Sequence, residues 1–213
     1  MAFLRAKSDE QKKERIQEIM DAAAGLYAEI GYDKVTFSKI SGRVKYTRIT
    51  LYNYFSCKED IFLKIIEQDT ENLMLDVART FTGPCSGAVD FAVAWTELMM
   101  RNQRYLSLMS IVNTIILRGA SEEQHEHYRC HLNKCFLKMA VDVGIALPSM
   151  RKDEVMDFLD IENSYAMTMY AASMEYKKSQ KIKIFANAGY GTLSFRVQFK
   201  KMLLKILEGF GIE

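Results

Sequence analysis

Apolar residues recur at three- and four-residue intervals along almost the whole chain, and no run alternates with the two-residue period of a strand. The pattern therefore predicts a fold built from helices alone. Ile16, Ile19, Met20, Ala23, Leu26, Tyr27 and Ile30 form one stripe. It predicts a first helix from near Asp9 to Gly31, ended by a left-handed glycine with Tyr32 as the hydrophobic contact. Thr36 opens a second helix as its N-cap, with Phe37, Ile40 and Val44 facing inward and an end near Val44 or Lys45. Thr47 caps a third over Arg48–Phe55, about two turns long. Leu51 and Phe55 then face the core, which leaves Arg48, Ile49, Tyr52 and Asn53 pointing outward. Ser56 caps a fourth helix, with Glu59 completing a capping box. Ile61, Phe62, Ile65, Ile66 and Leu73 carry that helix toward Phe81.

Gly83-Pro84 breaks the pattern, and helices follow over about Gly87–Arg101, Tyr105–Arg118, Ser121–Ile145, Lys152–Lys178 and Thr192–Glu208. Two short helices joined by a tight turn of about three residues make a helix-turn-helix, and the tandem helices behind it make a bundle. The expected architecture is all-α, with an N-terminal three-helix helix-turn-helix domain at 9–56 and a larger helical bundle over 57–213. In the last helix Phe195, Phe199, Met202, Leu203, Ile206 and Phe210 cover one face. Leu193, Val197, Leu204 and Leu207 form a second, roughly opposite stripe. A terminal helix that needs cover on two sides is satisfied by its own core plus a second copy, so these four are the expected homodimer contacts.

Composition changes the picture only locally. The 213 residues are 49% hydrophobic and 26% charged, with a net charge of +2, an ordinary globular balance. Yet from Lys34 to Lys58 there are six Lys/Arg residues and no Asp or Glu, interleaved with Thr36, Thr47, Thr50, Tyr52 and Tyr54. A basic patch on short helices with such donors is what a groove-reading DNA-binding module needs. Lys7, Lys12, Lys13 and Arg15 could add a minor-groove arm, but Asp9, Glu10 and Glu14 between them favour a solvated helix start. The longest apolar run, Met109–Leu117, contains Ser110, Asn113 and Thr114, which excludes a spanning helix. Without a signal-peptide core, and with Cys57, Cys85, Cys130 and Cys135 in no CxxC pair, the expectation is a cytoplasmic protein with free thiols and no membrane partner.

The stretch MDAAAGLYAEIGYDKVTFSKIS followed by TLYNYFSCKEDIF resembles the DNA-binding domain of tetracycline-repressor (TetR) family regulators. The resemblance rests on Ala22-Ala23, Gly31-Tyr32, Thr36, Thr50 through Phe55 and Lys58-Glu59, and covers roughly residues 12 to 62. It implies Thr36, Thr50, Tyr54 and Lys58 as phosphate contacts and Arg48, Ile49, Tyr52 and Asn53 as groove readers. Arg48 suits guanine O6/N7, Asn53 suits adenine N6/N7, and Ile49 and Tyr52 suit a thymine methyl. One position departs: Lys45 stands where the family's turn carries Gly or Asn, and a left-handed Lys there would cost about 1 kcal/mol. Lys45 is instead expected at a phosphate.

The resemblance also implies a homodimer whose bundle holds a small-molecule inducer and whose operator is a near-palindrome of double-stranded DNA, with half-sites roughly 34–36 Å apart. Trp95, Met99, Tyr105, Met109, Asn113, Tyr165 and Met169 are the candidate pocket residues, in a segment rich in Met and aromatics. Asn163 and Thr168 are further polar anchors. All three histidines fall in HEHYRCHLNKC, where His127, Cys130 and His131 share a helix face and could hold a metal. They are read as a polar outer face, and neither a metal nor a cofactor is expected. No nucleophile–base pair, phosphate loop or paired acid occurs at useful spacing, so an enzyme is not expected. The expected function is a ligand-released repressor. The competing class is a DNA-anchored architectural or partner-binding protein without an inducer.

Overall fold

The computed structural model describes residues 2–179 and 194–213, with side chains described over 10–174 and 194–213. Every regular element among them is helical, so the fold is all-α as the periodicity predicts. Helix α1, Ala2–Ile30, starts before the expected Asp9. It ends at Gly31, whose φ of 77° is the expected positive value, but whose ψ of 161° extends the chain instead of curling it into a left-handed turn. Tyr32 then packs at a tilt against Phe62, ring centroids 4.9 Å apart, and its hydroxyl donates to Glu59 Oε1 at 2.8 Å.

Helices α2 (Phe37–Ser41) and α3 (Arg48–Tyr52) are both capped by the predicted threonines. Each is shorter than the pattern suggests: α2 stops at Gly42 instead of Val44, and α3 stops before Asn53 instead of at Phe55. Phe37, Ile40, Leu51 and Phe55 are buried as expected. No residue other than Gly among those described has a positive φ, so Lys45 bears none of the strain a left-handed turn would impose.

Helix α4, Lys58–Thr80, begins without the expected capping box. Glu59 is taken by Tyr32, and the Ser56 amide instead donates to Asp60 Oδ2 at 3.3 Å. Asp60, 2% exposed, also accepts from the Ser121 amide at 2.9 Å and the Ser121 hydroxyl at 3.0 Å. Then come α5 (Ala88–Arg101), α6 (Gln103–Ile111), a π-helical turn over Val112–Ile116, α7 (Leu117–Gly119), α8 (Glu122–Ala146), α9 (Lys152–Ser179) and α10 (Phe195–Gly209). The expected start of the last helix at Thr192 lies outside the described residues.

The chain forms two compact units. The first comprises residues 1–68 and 112–130 and thus contains the helix-turn-helix together with the chain's return through the π turn and the start of α8. Its core is Ile19, Ala23, Leu26, Val35, Ile40, Leu51, Ile61, Phe62 and Ile65. The second comprises 69–111 and 131–213, in which α10 packs on α5 and α9, and α9 on α6. Phe81, Phe91, Trp95 and Phe158 form an aromatic cluster with centroids 4.9 to 5.8 Å apart. Gly87 is needed where it stands, because a Cβ there would lie 2.7 Å from the Glu213 carbonyl oxygen, which accepts the Ala88 amide. All four cysteines are free thiols.

Candidate nucleic-acid interface

A helix of five residues leaves most of its backbone donors unpaired by the helix itself, so side chains must complete it. Thr36 Oγ1 accepts from the Lys39 amide at 3.3 Å, and Thr47 Oγ1 accepts from the Thr50 amide at 3.2 Å while lying 2.9 Å from the Thr50 hydroxyl. These bonds hold α3 in register with its outward face open. Arg48 and Asn53 are exposed, Ile49 is 78% exposed and Tyr52 47%. Arg48 Nη2 donates to the Tyr52 hydroxyl at 3.3 Å, its Cζ sits 5.8 Å from that ring's centroid, and the Tyr52 ring packs against Phe37 with centroids 4.6 Å apart.

The basic segment is less free than its charge suggests. Arg43 makes two bonds to Glu29 at 2.9 and 2.5 Å, which hold the Glu29 carboxyl below its ordinary range. Lys39 Nζ donates to the Lys34 carbonyl at 2.9 Å. Lys58 Nζ donates to the Tyr32 carbonyl at 3.3 Å and lies 4.2 Å from that ring's centroid. Lys45 is exposed on the turn before α3. Positive charge comes from another element as well. Arg15 on α1 donates to the Tyr54 hydroxyl at 3.1 Å, and Gln11, Lys12, Arg15, Asn53 and Tyr54 line one recess of about 290 Å³. Lys12 and Arg15, read from sequence as a solvated helix start, therefore adjoin the outward face of α3. The signal was the i, i+3 spacing of two cations, masked by the intervening acids. The Lys7 side chain lies outside the described residues.

In the second unit Trp95, Met99, Tyr105, Met109 and Met169 are buried, and Tyr165 is half-buried. Asn113 is exposed on the π turn, in the first unit. Thr168 is also exposed, and its hydroxyl is spent on the Ser164 carbonyl. Asn163 supplies the polar contact instead, accepting from the Tyr105 hydroxyl at 2.9 Å. Glu162, which sequence reading missed, is 2% exposed, and burial pushes its carboxyl up to about 8 while the neighbouring Trp95 indole lowers it. An apolar groove of about 590 Å³, also unforeseen, runs past Leu137, Val141, Ile145, Met150, Val155 and Met156.

Of the expected dimer residues, Val197 is 57% exposed and Leu204 half-buried, but Leu207 is fully buried. It completes the inward stripe Phe195, Phe199, Leu203, Leu207, because a strict four-residue spacing drifts only slowly around a helix. Leu193 lies outside the described residues. His127 Nδ1 sits 2.8 Å from Glu67 Oε1 and 3.2 Å from Lys64 Nζ, His131 contacts Glu71 and Cys135, and Cys130 is exposed. Among the described residues no three His, Cys, Asp or Glu side chains are grouped to hold a metal ion. Nor is any helix among them long and apolar enough to cross a membrane.

Two family models match the chain: bacterial regulatory proteins of the tetR family over residues 19–65, and the tetracyclin repressor-like C-terminal domain over 67–212. The chain is 28% identical over 72 residues to the HTH-type transcriptional repressor Rv1474c of Mycobacterium tuberculosis, covering 34% of this chain and 38% of that protein. It is 35% identical over 57 residues to the A-factor receptor protein of Streptomyces griseus, covering 27% of this chain and 21% of that protein. The matched segment thus spans well under half of either relative. Among solved structures, Thermus thermophilus FadR in complex with lauroyl-CoA is similar at a TM-score of 0.59 and 16% identity, over 91% of this chain and 94% of that one.

Proposed function

The chain belongs to the TetR family of transcriptional regulators, and on that premise we propose that it is a homodimeric repressor released from a near-palindromic operator by a small apolar or amphipathic ligand. The observation that carries this reading is the outward face of α3, where Arg48, Ile49 and Tyr52, with Asn53 at the helix's C-cap, are exposed on a helix pinned by Thr47. Arg48 reads guanine, Asn53 reads adenine, and Ile49 with Tyr52 meets thymine methyls. Thr36, Lys45, Thr47, Thr50, Tyr54 and Lys58 set the register on phosphates. Residues 9–56 act as the DNA-binding domain and 57–213 as the ligand-binding and dimerisation domain.

Two copies joined through α9 and α10 present two such faces to successive major grooves, and the exposed Val197 on α10 supports that joint. Ligand in the bundle favours a state whose spacing no longer matches the DNA. Release by about a hundredfold needs a preference of about 2.7 kcal/mol for that state. The ligand screen includes long-chain acyl-CoA, because the structure of the fold's Thermus thermophilus relative holds lauroyl-CoA.

Fluorescence anisotropy on the DNA upstream of the chain's own gene, titrated with salt beside a scrambled duplex, tests the reading. Cognate binding about a thousandfold tighter, with a steep salt slope, is the expected result. Arg48→Ala should cost about 1–3 kcal/mol on the cognate duplex and far less on the scrambled one. Equal losses on both would remove Arg48 from base reading. Binding that no small molecule alters would leave an architectural protein.

A further inference from the structure

The recess beside α3 is lined from two segments far apart in the chain: Gln11, Lys12 and Arg15 on α1, and Asn53 and Tyr54 just past the end of α3. Lys12 and Arg15 are three residues apart, so they project from the same side of α1. All five lining side chains can donate a hydrogen bond and none carries a carboxylate. Glu14 and Glu18, the acids flanking Arg15, do not line it, and Glu18 is bonded to the Tyr46 hydroxyl, which it pushes up.

An exposed arginine is ordinarily loose, but Arg15 is held at two points. Its Nη1 donates to the Tyr54 hydroxyl at 3.1 Å, and its Cζ lies 5.7 Å from the centroid of the Tyr46 ring. The Tyr54 oxygen accepts in that bond, which leaves the phenolic proton for another acceptor. A fixed guanidinium, an ammonium and an aligned hydroxyl around one opening match a phosphate oxygen. Dimensions put the opening where phosphates are. The five residues of α3 make about 7.5 Å of helix, against a major groove roughly 12 Å wide. Tyr54 and the α1 cations, beyond its end, therefore meet the sugar-phosphate wall, with Asn53 at the boundary between wall and bases.

We propose that this recess seats one phosphate of the DNA backbone, gripped by Lys12, Arg15 and a Tyr54 hydroxyl that Arg15 orients. This rests on the reading of α3 as the groove reader and extends the footprint to α1. Lys12 supplies a point charge, whereas Arg15 both touches the phosphate and positions Tyr54.

The test is binding of the full chain to the upstream and scrambled duplexes across a range of salt. Each neutralised phosphate contributes about 0.9 to the slope of log K against log[salt]. Because the two cations share one phosphate, Lys12→Gln/Arg15→Gln should lower the slope by about one on both duplexes. Lys12→Gln alone should weaken binding about tenfold on both. Lys13→Gln removes the same charge from an exposed neighbour outside the recess and should have little effect. Tyr54→Phe should lower affinity without changing the slope, and Arg15→Gln should cost less in that background, as a positioning role requires. Neutral methylphosphonates placed one at a time in the upstream duplex locate the seat: one position should weaken the parent about tenfold and leave the double variant indifferent. An unchanged slope in the double variant, or equal losses from Lys12→Gln and Lys13→Gln, overturns the proposal, and a specificity loss in Arg48→Ala would then still uphold the groove reading. If the parent does not prefer the upstream duplex, the groove reading fails, yet the slope on the scrambled duplex still decides the seat.

Discussion

Asp60 stands at the start of α4 with almost no access to water, and three donors converge on it, one from nearby Ser56 and two from distant Ser121. Replacing it by Ala leaves the Ser56 and Ser121 amides without their acceptor. Hydrogen bonds to charged groups contribute about 1.5–3 kcal/mol each. The Ser56 bond is long, the two from Ser121 share one oxygen, and burial of the carboxylate offsets part of the gain, so the net loss is about 3–4 kcal/mol. Asp60→Asn can keep its carbonyl oxygen on Ser121 but turns an N–H toward the Ser56 amide, at a cost of about 1–2 kcal/mol. Ser121→Ala removes only the hydroxyl bond and costs about 1 kcal/mol. Thermal unfolding followed by circular dichroism should rank the three in that order, with Asp60→Ala lowering Tm by roughly 10 °C. Tryptophan fluorescence is the wrong probe here, since Trp95 belongs to the other unit. An Ala variant within about 0.5 kcal/mol of the parent would show that the convergence contributes no net stability, and an Asn variant as damaging as Ala would show that the bonds from Ser121 contribute none of it.

Glu162 gives a pH prediction. Its carboxyl is raised from an ordinary 4.5 to about 8 in the folded chain, so its contribution is complete below pH about 4.5 and is lost as pH rises toward 8, because the unfolded chain releases the proton first. Urea unfolding across that window should show stability falling with pH in the parent, and Glu162→Gln should remove that component of the slope. Leu203→Ala, at a fully buried site on α10, should cost about 2–5 kcal/mol in the same assay. Val197→Asp should leave unfolding within about 0.5 kcal/mol of the parent while shifting sedimentation toward the monomer, whereas an unchanged sedimentation profile would place the dimer joint elsewhere.

What could be read from the chain divides by the range of the forces involved. Thr36 and Thr47 were legible as caps because a threonine hydroxyl and an amide three residues on meet in any sequence context. Leu51, Phe55 and the positive φ of Gly31 followed from periodicity and glycine's freedom for the same reason. The capping box at Ser56 failed because Tyr32, 27 residues away, outcompeted the Ser56 amide for Glu59, and no local pattern announces such a partner. Leu207 was placed on an outer stripe because two faces of a short helix overlap in sequence, and only packing against α5 and α9 decides between them. Glu162 was invisible for a related reason: a glutamate within an amphipathic helix reads as solvated until neighbouring helices close over it. The cations of α1 went unread because their neighbours Tyr54 and Asn53 lie about forty residues away in the chain.

The first compact unit is assembled from two separate stretches, 1–68 and 112–130, and this has a consequence for biosynthesis. When the ribosome has made the helix-turn-helix and the opening of α4, Asp60 has its Ser56 amide but not Ser121. The unit cannot close until synthesis has passed residue 130, on the order of several seconds later at usual elongation rates. During that interval the nascent head is exposed to quality-control proteases and chaperones as an unfinished body. A fragment ended at residue 68 would remain in that condition permanently, so the DNA-binding half of this chain is poorly suited to excision as a free module.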